Sequence, residues 1–317
     1  MAGANMDSLN APRFSVIVPA YNAATTLARA LDSILAQSWA AHEIIVVDDG
    51  SSDATAAVAA TYGDSVRYLY QPNAGVSAAR NAGARAASGD WLAFLDADDW
   101  YYLNRLEWHA RWIMRDAALD FLTGDYEYRD TTGKLIGTSM ASKASGRALL
   151  QKSGGTREVV MEGDDFAAFV ADHFGDTHTL SLPLATFLAL EGYPLGFKVC
   201  EDVHLLIRLV ARSRRAGVVR APLAVYCIHA ASATRADPVR AQHENVRTLL
   251  ALGKQRDALP DAVRRGFQIR LRQARLNLGY ALSKSGQRRA ALRAVLPSLL
   301  EAPELASVRN VLSILKG

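Results

Sequence analysis

The sequence predicts an α/β protein: a Rossmann-like, mostly parallel sheet with flanking helices, followed by a helical C-terminal extension. Two observations carry the α/β reading. Short β-branched apolar runs alternate with single helical stretches over roughly the first third of the chain, and every run ends in polar or turn-forming residues. A third observation, a change to basic, helix-patterned sequence near Pro238, marks the extension. Strands separated by one helix each imply parallel βαβ units with right-handed crossovers.

The elements follow in order. Phe14-Ser-Val-Ile-Val18 is an apolar run that ends in Pro19-Ala20-Tyr21-Asn22. From Thr26 to Gln37, Leu27, Leu31, Ile34 and Leu35 fall at helical spacing. Glu43 to Val47 is the second run, ending in Asp48-Asp49-Gly50-Ser51-Ser52-Asp53, and an Ala-rich helix covers about 54–62. Val66 to Tyr70 is the third strand, ending in Gln71-Pro72-Asn73, and Gly75 opens a helix to about Ala87. The fourth strand, Trp91 to Leu95, runs straight into Asp96-Ala97-Asp98-Asp99.

Ligands of an open parallel sheet bind outside the carboxyl ends of its strands. Tyr21, Asn22, Asp48, Asp49, Asn73, Asp96 and Asp98 are therefore expected to face one crevice. Concentrated carboxylates at a strand end are costly without a positive partner, and hard oxygen ligands suit Mg²⁺ or Mn²⁺. The alternative is a solvated acidic turn that caps the next helix.

Four ordered blocks, Val16-Ile-Val-Pro-Ala-Tyr-Asn22, Val46-Val-Asp-Asp-Gly-Ser-Ser-Asp53, Asn73-Ala-Gly-Val-Ser-Ala-Ala-Arg-Asn81 and Phe94-Leu-Asp-Ala-Asp-Asp99, resemble the signature of glycosyltransferase family 2. The resemblance is close over the first third and weaker to about residue 235. It implies a GT-A fold and an inverting, metal-dependent transfer of sugar from a nucleotide-sugar donor, expected to be UDP-linked, to a hydroxyl acceptor. Saccharide, lipid-linked and other glycoconjugate acceptors all suit, as in polysaccharide synthesis.

The resemblance assigns roles residue by residue. Tyr21 offers a stacking face for a base, worth about 1–3 kcal/mol, and Pro19 stiffens the turn beside it. Asp49 accepts the ring N–H of uracil, while Asp48 holds its turn. Pro19, Tyr21, Asn22, Asp49, Arg80, Asp96, Ala97 and Asp98 form the donor side. Asp98 binds a divalent cation, Mg²⁺ or Mn²⁺, directly, Asp96 contacts the ribose or the metal through water, and His229 completes the metal shell or contacts the diphosphate; Lewis-acid help for the leaving diphosphate follows. Arg80 contacts the donor or neutralises Asp96 or Asp98; both readings stand. Asp99 is left either to the metal cluster or to the start of the following helix.

Tyr193 to Asp202 leads into a periodic helix. A Glu201-Asp202 pair at its start reads as a dipole-complementing feature, but the resemblance makes Asp202 the general base. Glu201, Ser232 and Arg235 fall on the acceptor side or on a closing loop. One departure concerns Glu191-Gly192-Tyr193-Pro194, where family members often carry Gly-Gly-Phe and an acidic residue; it bears on the acceptor.

Ala118 to Met140 reads as a hairpin around Asp130-Thr-Thr-Gly133. From Ala141 to Gly163 the chain is rich in Ser, Gly and Lys, and is expected to be a mobile loop near the acceptor. The predicted organisation is a disordered 1–12, a catalytic domain over 13–235 divided into a donor half (13–117) and an acceptor half (118–235), and a basic helical region over 236–317.

With 317 residues and 50% apolar content the chain can bury a sizeable core. No apolar run reaches the ~18 residues of a spanning helix, and the N-terminus lacks an apolar signal core. Two cysteines, Cys200 and Cys227, are expected to be reduced in a cytoplasmic protein. From Arg235 onward 16 Lys/Arg face 6 Asp/Glu, although the whole chain is only +4. Such helices either pack on the catalytic domain or rest peripherally on an anionic inner-membrane face; no motif supports a nucleic-acid partner. Two alternative functions are weighed. A sugar-nucleotide nucleotidyltransferase would want a Gly-rich first turn with a basic residue, where this chain has Pro19-Ala20-Tyr21-Asn22. A non-catalytic nucleotide-sugar-binding or scaffold protein has no need of both Asp98 and Asp202.

Overall fold

The computed structural model describes residues 11–152, 154–229, 237–254, 256–301, 308, 311 and 312. Ten strands among them form one mixed sheet. Its N-terminal half is the predicted parallel unit: β1 (Phe14–Ala20), α1 (Leu27–Leu35), β2 (Glu43–Asp48), α2 (Thr55–Ala60), β3 (Arg67–Tyr70), α3 (Val76–Ala86) and β4 (Trp91–Phe94). The strands lie in the order β3-β2-β1-β4, all parallel. Alternation along each strand divides the core. Val16, Val18, Ile44 and Val46 pack with Leu27, Leu31 and Ile34 of α1, whereas Ile17, Ile45 and Val47 pack with Ala79 and Ala84 of α3. Each fully buried side chain of this kind contributes about 1.5–3 kcal/mol. At Gly83 any β-carbon would collide with Ile17, which is why a glycine is needed where α3 crosses β1.

The second half continues with β5 (Trp100–Tyr101), α4 (Arg105–Arg115), β6 (Phe121–Asp130) and β7 (Leu135–Thr138). The hairpin of β6 and β7 is as expected. The segment after it is not the loop predicted. It forms α5 (Ser139–Ser142), α6 (Ala144–Lys152) and β8 (Glu158–Glu162), with Leu149 and Met161 in the main core. These elements are too short for a periodic signal. Gly146 leaves no room for a β-carbon against the Met140 carbonyl, so this glycine reflects tight packing.

α7 (Asp165–Ala171), β9 (Ser181–Pro183), α8 (Leu184–Ala189), α9 (Glu201–Arg212) and β10 (Arg215–Ile228) complete the domain. β9 runs antiparallel between β4 and β6, and β10 lies parallel to β6. Three helices follow: α10 (Pro238–Gly253), α11 (Asp261–Lys284) and α12 (Arg288–Glu301). The predicted apolar face of α11 (Phe267, Leu271, Ala274, Leu278, Leu282) is buried. Phe267 and Leu271 join the core built on α7 and α9, and Gly266 lets α11 approach the Ala167 carbonyl of α7. Among the described residues no helix is long and apolar enough to cross a membrane.

The expected disordered segment 1–12 lies outside the described residues up to residue 10. Arg13, next to it, is tied by its side chain to Asp90. Both cysteines are free thiols.

Candidate active site

The loops after the parallel strands are laced together at one edge of the sheet. Asn22 takes a left-handed conformation (φ 49°), and its side-chain oxygen accepts from Ser52 N at 2.8 Å. Its backbone N–H donates to Ser51 Oγ at 2.9 Å. Asp48 holds its turn as expected, accepting from Ser51 N and from the Tyr68 hydroxyl, each at 2.7 Å. Tyr21 stands 56% exposed beside these loops.

Asp49 is more occupied than a base-reading carboxylate needs to be. Its oxygens accept from Gln71 Nε2 at 2.6 Å, Ala74 N at 2.9 Å and Gly75 N at 2.8 Å. Three of roughly four lone-pair positions are therefore taken. Asp49 fixes the loop that launches α3, and Gly75 at φ 91° makes that turn. Neither Gln71 nor this bridging role was apparent from the residue pattern.

Arg80, on α3, is buried between two carboxylates. Nη2 meets Asp96 Oδ1 at 2.6 Å and Nη1 meets Glu201 Oε1 at 2.9 Å. Burial opposes its charge, but Asp96, Tyr193 and Glu201 outweigh this and hold the guanidinium well above its ordinary pKa. The neighbouring Asn81 clamps Tyr193 with two hydrogen bonds of 2.8 Å, and the Tyr193 ring lies 5.0 Å from the Arg80 guanidinium. Glu191-Gly192-Tyr193-Pro194 is thus locked onto α3, directly beside the ion pair.

Asp98 takes a different partner. His229, at the end of β10, places Nε2 2.7 Å from Asp98 Oδ2. Arg29 of α1 donates to the Asp98 carbonyl at 2.6 Å and lies over Trp100, which fixes the turn. Among the described residues Asp96 forms no three-ligand group with Asp98 and His229; its Oδ1 is paired with Arg80. Ala97 is buried between the two carboxylates. Asp99 neither joins them nor starts a helix. It is buried, accepts from Cys227 N at 2.8 Å and lies 3.7 Å from His178 Nδ1. Burial first, then Asp98 and Asp96, push its carboxyl well above the ordinary value. Ser232 and Arg235 lie outside the described residues.

Glu201 and Asp202 open α9, preceded by Cys200 in a left-handed conformation (φ 65°). Asp202 Oδ1 accepts from its own helix at Val203 N, 2.8 Å. Burial first, then Glu201 and Asp176, push Asp202 up to about 8. Near it stand two residues the sequence reading missed, His173 and Asp176. Potential ligand atoms of His173, Asp176 and Asp202 all lie within 4.8 Å of one another, the only such trio of His, Cys or carboxylate groups among the described residues. A His-Phe-Gly-Asp segment without periodicity offers no signal beyond its residue types.

Residues 15–172 match the family described as glycosyl transferase family 2. An uncharacterized glycosyltransferase of Rickettsia prowazekii (strain Madrid E) is 43% identical over 100 residues, 32% of this chain and 31% of the relative. The Bacillus subtilis (strain 168) protein EpsH is 28% identical over 227 residues, 71% of this chain and 63% of EpsH. The chain spans about a third or less of the length of the first curated relatives it matches. Among solved structures, the mannosyltransferase PcManGT of Pyrobaculum calidifontis, in complex with GDP-Man and Mn²⁺, superposes with a TM-score of 0.62 at 18% identity, covering 96% of this chain and 79% of that one. S. aureus TarS 1–349 in complex with UDP-GlcNAc gives 0.61 at 18% identity, covering 96% and 90%. These likenesses bear on the fold.

Proposed function

From the premise that this chain belongs to glycosyl transferase family 2 through its domain at residues 15–172, we propose that it is an inverting glycosyltransferase. It moves a sugar from a nucleotide-sugar donor, UDP-linked in our reading, to an acceptor hydroxyl. The observation that carries the proposal is the single edge of the sheet at which Tyr21, Asp49, Asp98 and His229 meet the Arg80–Glu201 pair, with Asp202 next in chain.

In this reading Tyr21 stacks on the base and the last free position on Asp49 accepts from it. Arg80 orients Asp96 and compensates the crevice's negative charge. The donor set suits a divalent cation: Asp98 and His229 present an oxygen and a nitrogen 2.7 Å apart, and the Asp98 side chain is 40% exposed. These two residues would hold Mg²⁺ or Mn²⁺, with Asp96 restrained by Arg80 from direct ligation. When bound, such an ion supplies Lewis-acid neutralisation of the leaving diphosphate. PcManGT binds GDP-Man and Mn²⁺ and TarS binds UDP-GlcNAc, which supports a nucleotide-sugar donor here.

Asp202 removes the proton of the acceptor hydroxyl as it attacks the anomeric carbon from the face opposite the nucleotide. A raised proton affinity suits that task, because base strength rises with it. Residues 13–117 serve the donor, 118–235 the acceptor, and the basic helices α10 to α12 brace the acceptor half. Exposed Arg288, Arg289 and Arg293 leave α12 free to meet an anionic lipid surface. The test is a screen of nucleotide sugars with Mn²⁺ and Mg²⁺ against wild type and Asp202→Asn, reading released nucleotide diphosphate. Donor turnover by wild type that Asp202→Asn loses supports the reading; equal turnover by both refutes the base.

A further inference from the structure

Asp202 is the better placed of two facing carboxylates to take a proton. Asp176 already has a donor on each oxygen, His173 Nε2 at 2.9 Å on Oδ1 and the Tyr126 hydroxyl at 2.5 Å on Oδ2. Donors aimed at both oxygens favour the ionised form. Asp202 has only Val203 N on Oδ1, and among the described residues its Oδ2 receives no donor. His173 Nδ1 is buried with no partner, which fits a neutral ring whose single proton sits on Nε2 and points at Asp176. Between the three groups lies a cavity of about 10 Å³, near the lower limit for one water. Two carboxylates this close do not both carry full charge at low cost.

We propose that Asp176, fixed by His173 and Tyr126, is a positioning residue for Asp202: it stays ionised and holds the proton that Asp202 takes from the acceptor. The inference rests on the proposed reading of Asp202 as base. As the acceptor O–H bond breaks, its proton forms a bond to an Asp202 oxygen. The electron pair of the acceptor oxygen forms the bond to the anomeric carbon, and the old carbon–oxygen pair leaves with the nucleotide diphosphate. The proton on Asp202 then faces the Asp176 anion until product leaves and the proton passes to solvent.

Every group facing this pair fits the scheme. Glu201 and Asp176 raise Asp202, and Arg80 opposes them. Tyr193 and Cys200 both feel the Asp202 charge. Burial opposes an anionic Asp176, yet His173, His178 and Tyr126 hold it below the usual carboxylate range. Arg270 of α11, whose Nη1 donates to Val170 O at 3.2 Å, lies in the field of Cys200, Asp202, Asp176 and Asp172. The C-terminal region therefore supplies a cation to this cluster.

The test needs no substrate. Folding stability is measured for wild type, Asp176→Asn, Asp202→Asn and the double variant at pH 5.5 and pH 9, giving the coupling between the two residues at each pH. The expected coupling changes by at least about tenfold in the folding equilibrium constant between the two pH values, because Asp202 is protonated at one and ionised at the other. A coupling independent of pH overturns the proposal. If Asp176→Asn fails to fold, the cycle of Tyr126→Phe with Asp202→Asn gives the same pH-dependent sign at smaller size, and a flat result there overturns it equally. MnCl₂ alone is the control. Thermal stabilisation by Mn²⁺ that is lost in both single variants makes the trio a cation site and refutes the proton role. Asp202→Asn with full transfer activity would defeat the base reading; an inactive Asp202→Asn with pH-independent coupling would defeat only this inference.

Discussion

His229 Nε2 and Asp98 Oδ2 lie 2.7 Å apart although 131 residues separate them in sequence. Their contact ties the end of β10 to the end of β4, and it is where we place the cation. We expect Asp98→Ala and His229→Ala each to weaken the combined thermal stabilisation by UDP and Mn²⁺ by about 10- to 100-fold in apparent affinity. Stabilisation of Asp98→Ala equal to that of wild type would refute the assignment.

Arg80 is a structural residue as much as a site residue. Arg80→Met leaves Glu201 without its counter-charge in a buried position, an effect of about 3–5 kcal/mol. Chemical denaturation should show this loss without any ligand. A variant as stable as wild type would mean that the pair contributes nothing.

Docking of α11 depends on Gly266. Any side chain there meets the Ala167 carbonyl and Val170, so Gly266→Val should cost about 1–3 kcal/mol or more by overpacking. Gly137→Ala is the control, because open space surrounds that position. Equal melting temperatures for the two variants would show that α11 does not need this close approach.

The proton on Asp202 gives stability a sign with pH. Its carboxyl titrates at about 8 in the native state against an ordinary 3.8, with burial the first cause. The native state therefore binds a proton that the unfolded chain releases near pH 4. Stability from this group is fully present below pH 4 and is lost as pH rises through 8. Each tenfold difference in proton affinity between the folded and unfolded chain is worth about 1.4 kcal/mol, or roughly 2–4 °C in melting temperature for a domain of this size. Asp202→Asn should thus melt higher than wild type at pH 9 by more than it does at pH 5. In the transfer assay, kcat/KM should rise with pH until Asp202 is ionised. A difference between variant and wild type that does not change with pH would remove Asp202 as the titrating group.

The N-terminal parallel unit was legible because each element carries a local signal. Continuous β-branched apolar runs mark β1 and β2, helical spacing marks α1, and polar residues punctuate every strand end. The rest of the sheet was not, because its order comes from pairing at a distance. β8 is a strand through its register with β10 (Met161 opposite Ala216), and nothing within 158–162 announces it. The same holds at the site. Asp98 and Asp202 could be named from their surroundings in sequence, whereas Asp176 acquires meaning only when Tyr126, fifty positions away on β6, points a hydroxyl at it. Asp49 shows the opposite failure. Its place was foreseen, but not that it would spend most of its acceptor capacity on the chain itself.

On the proposed reading of Asp49, that last feature governs how tightly a donor is held. Because Asp49 already anchors Ala74 and Gly75, the loop between β3 and α3 is set before any nucleotide arrives. A ligand entering there has little ordering entropy to offset. Loosening this anchor would weaken the complex even for a ligand that never touches the carboxylate.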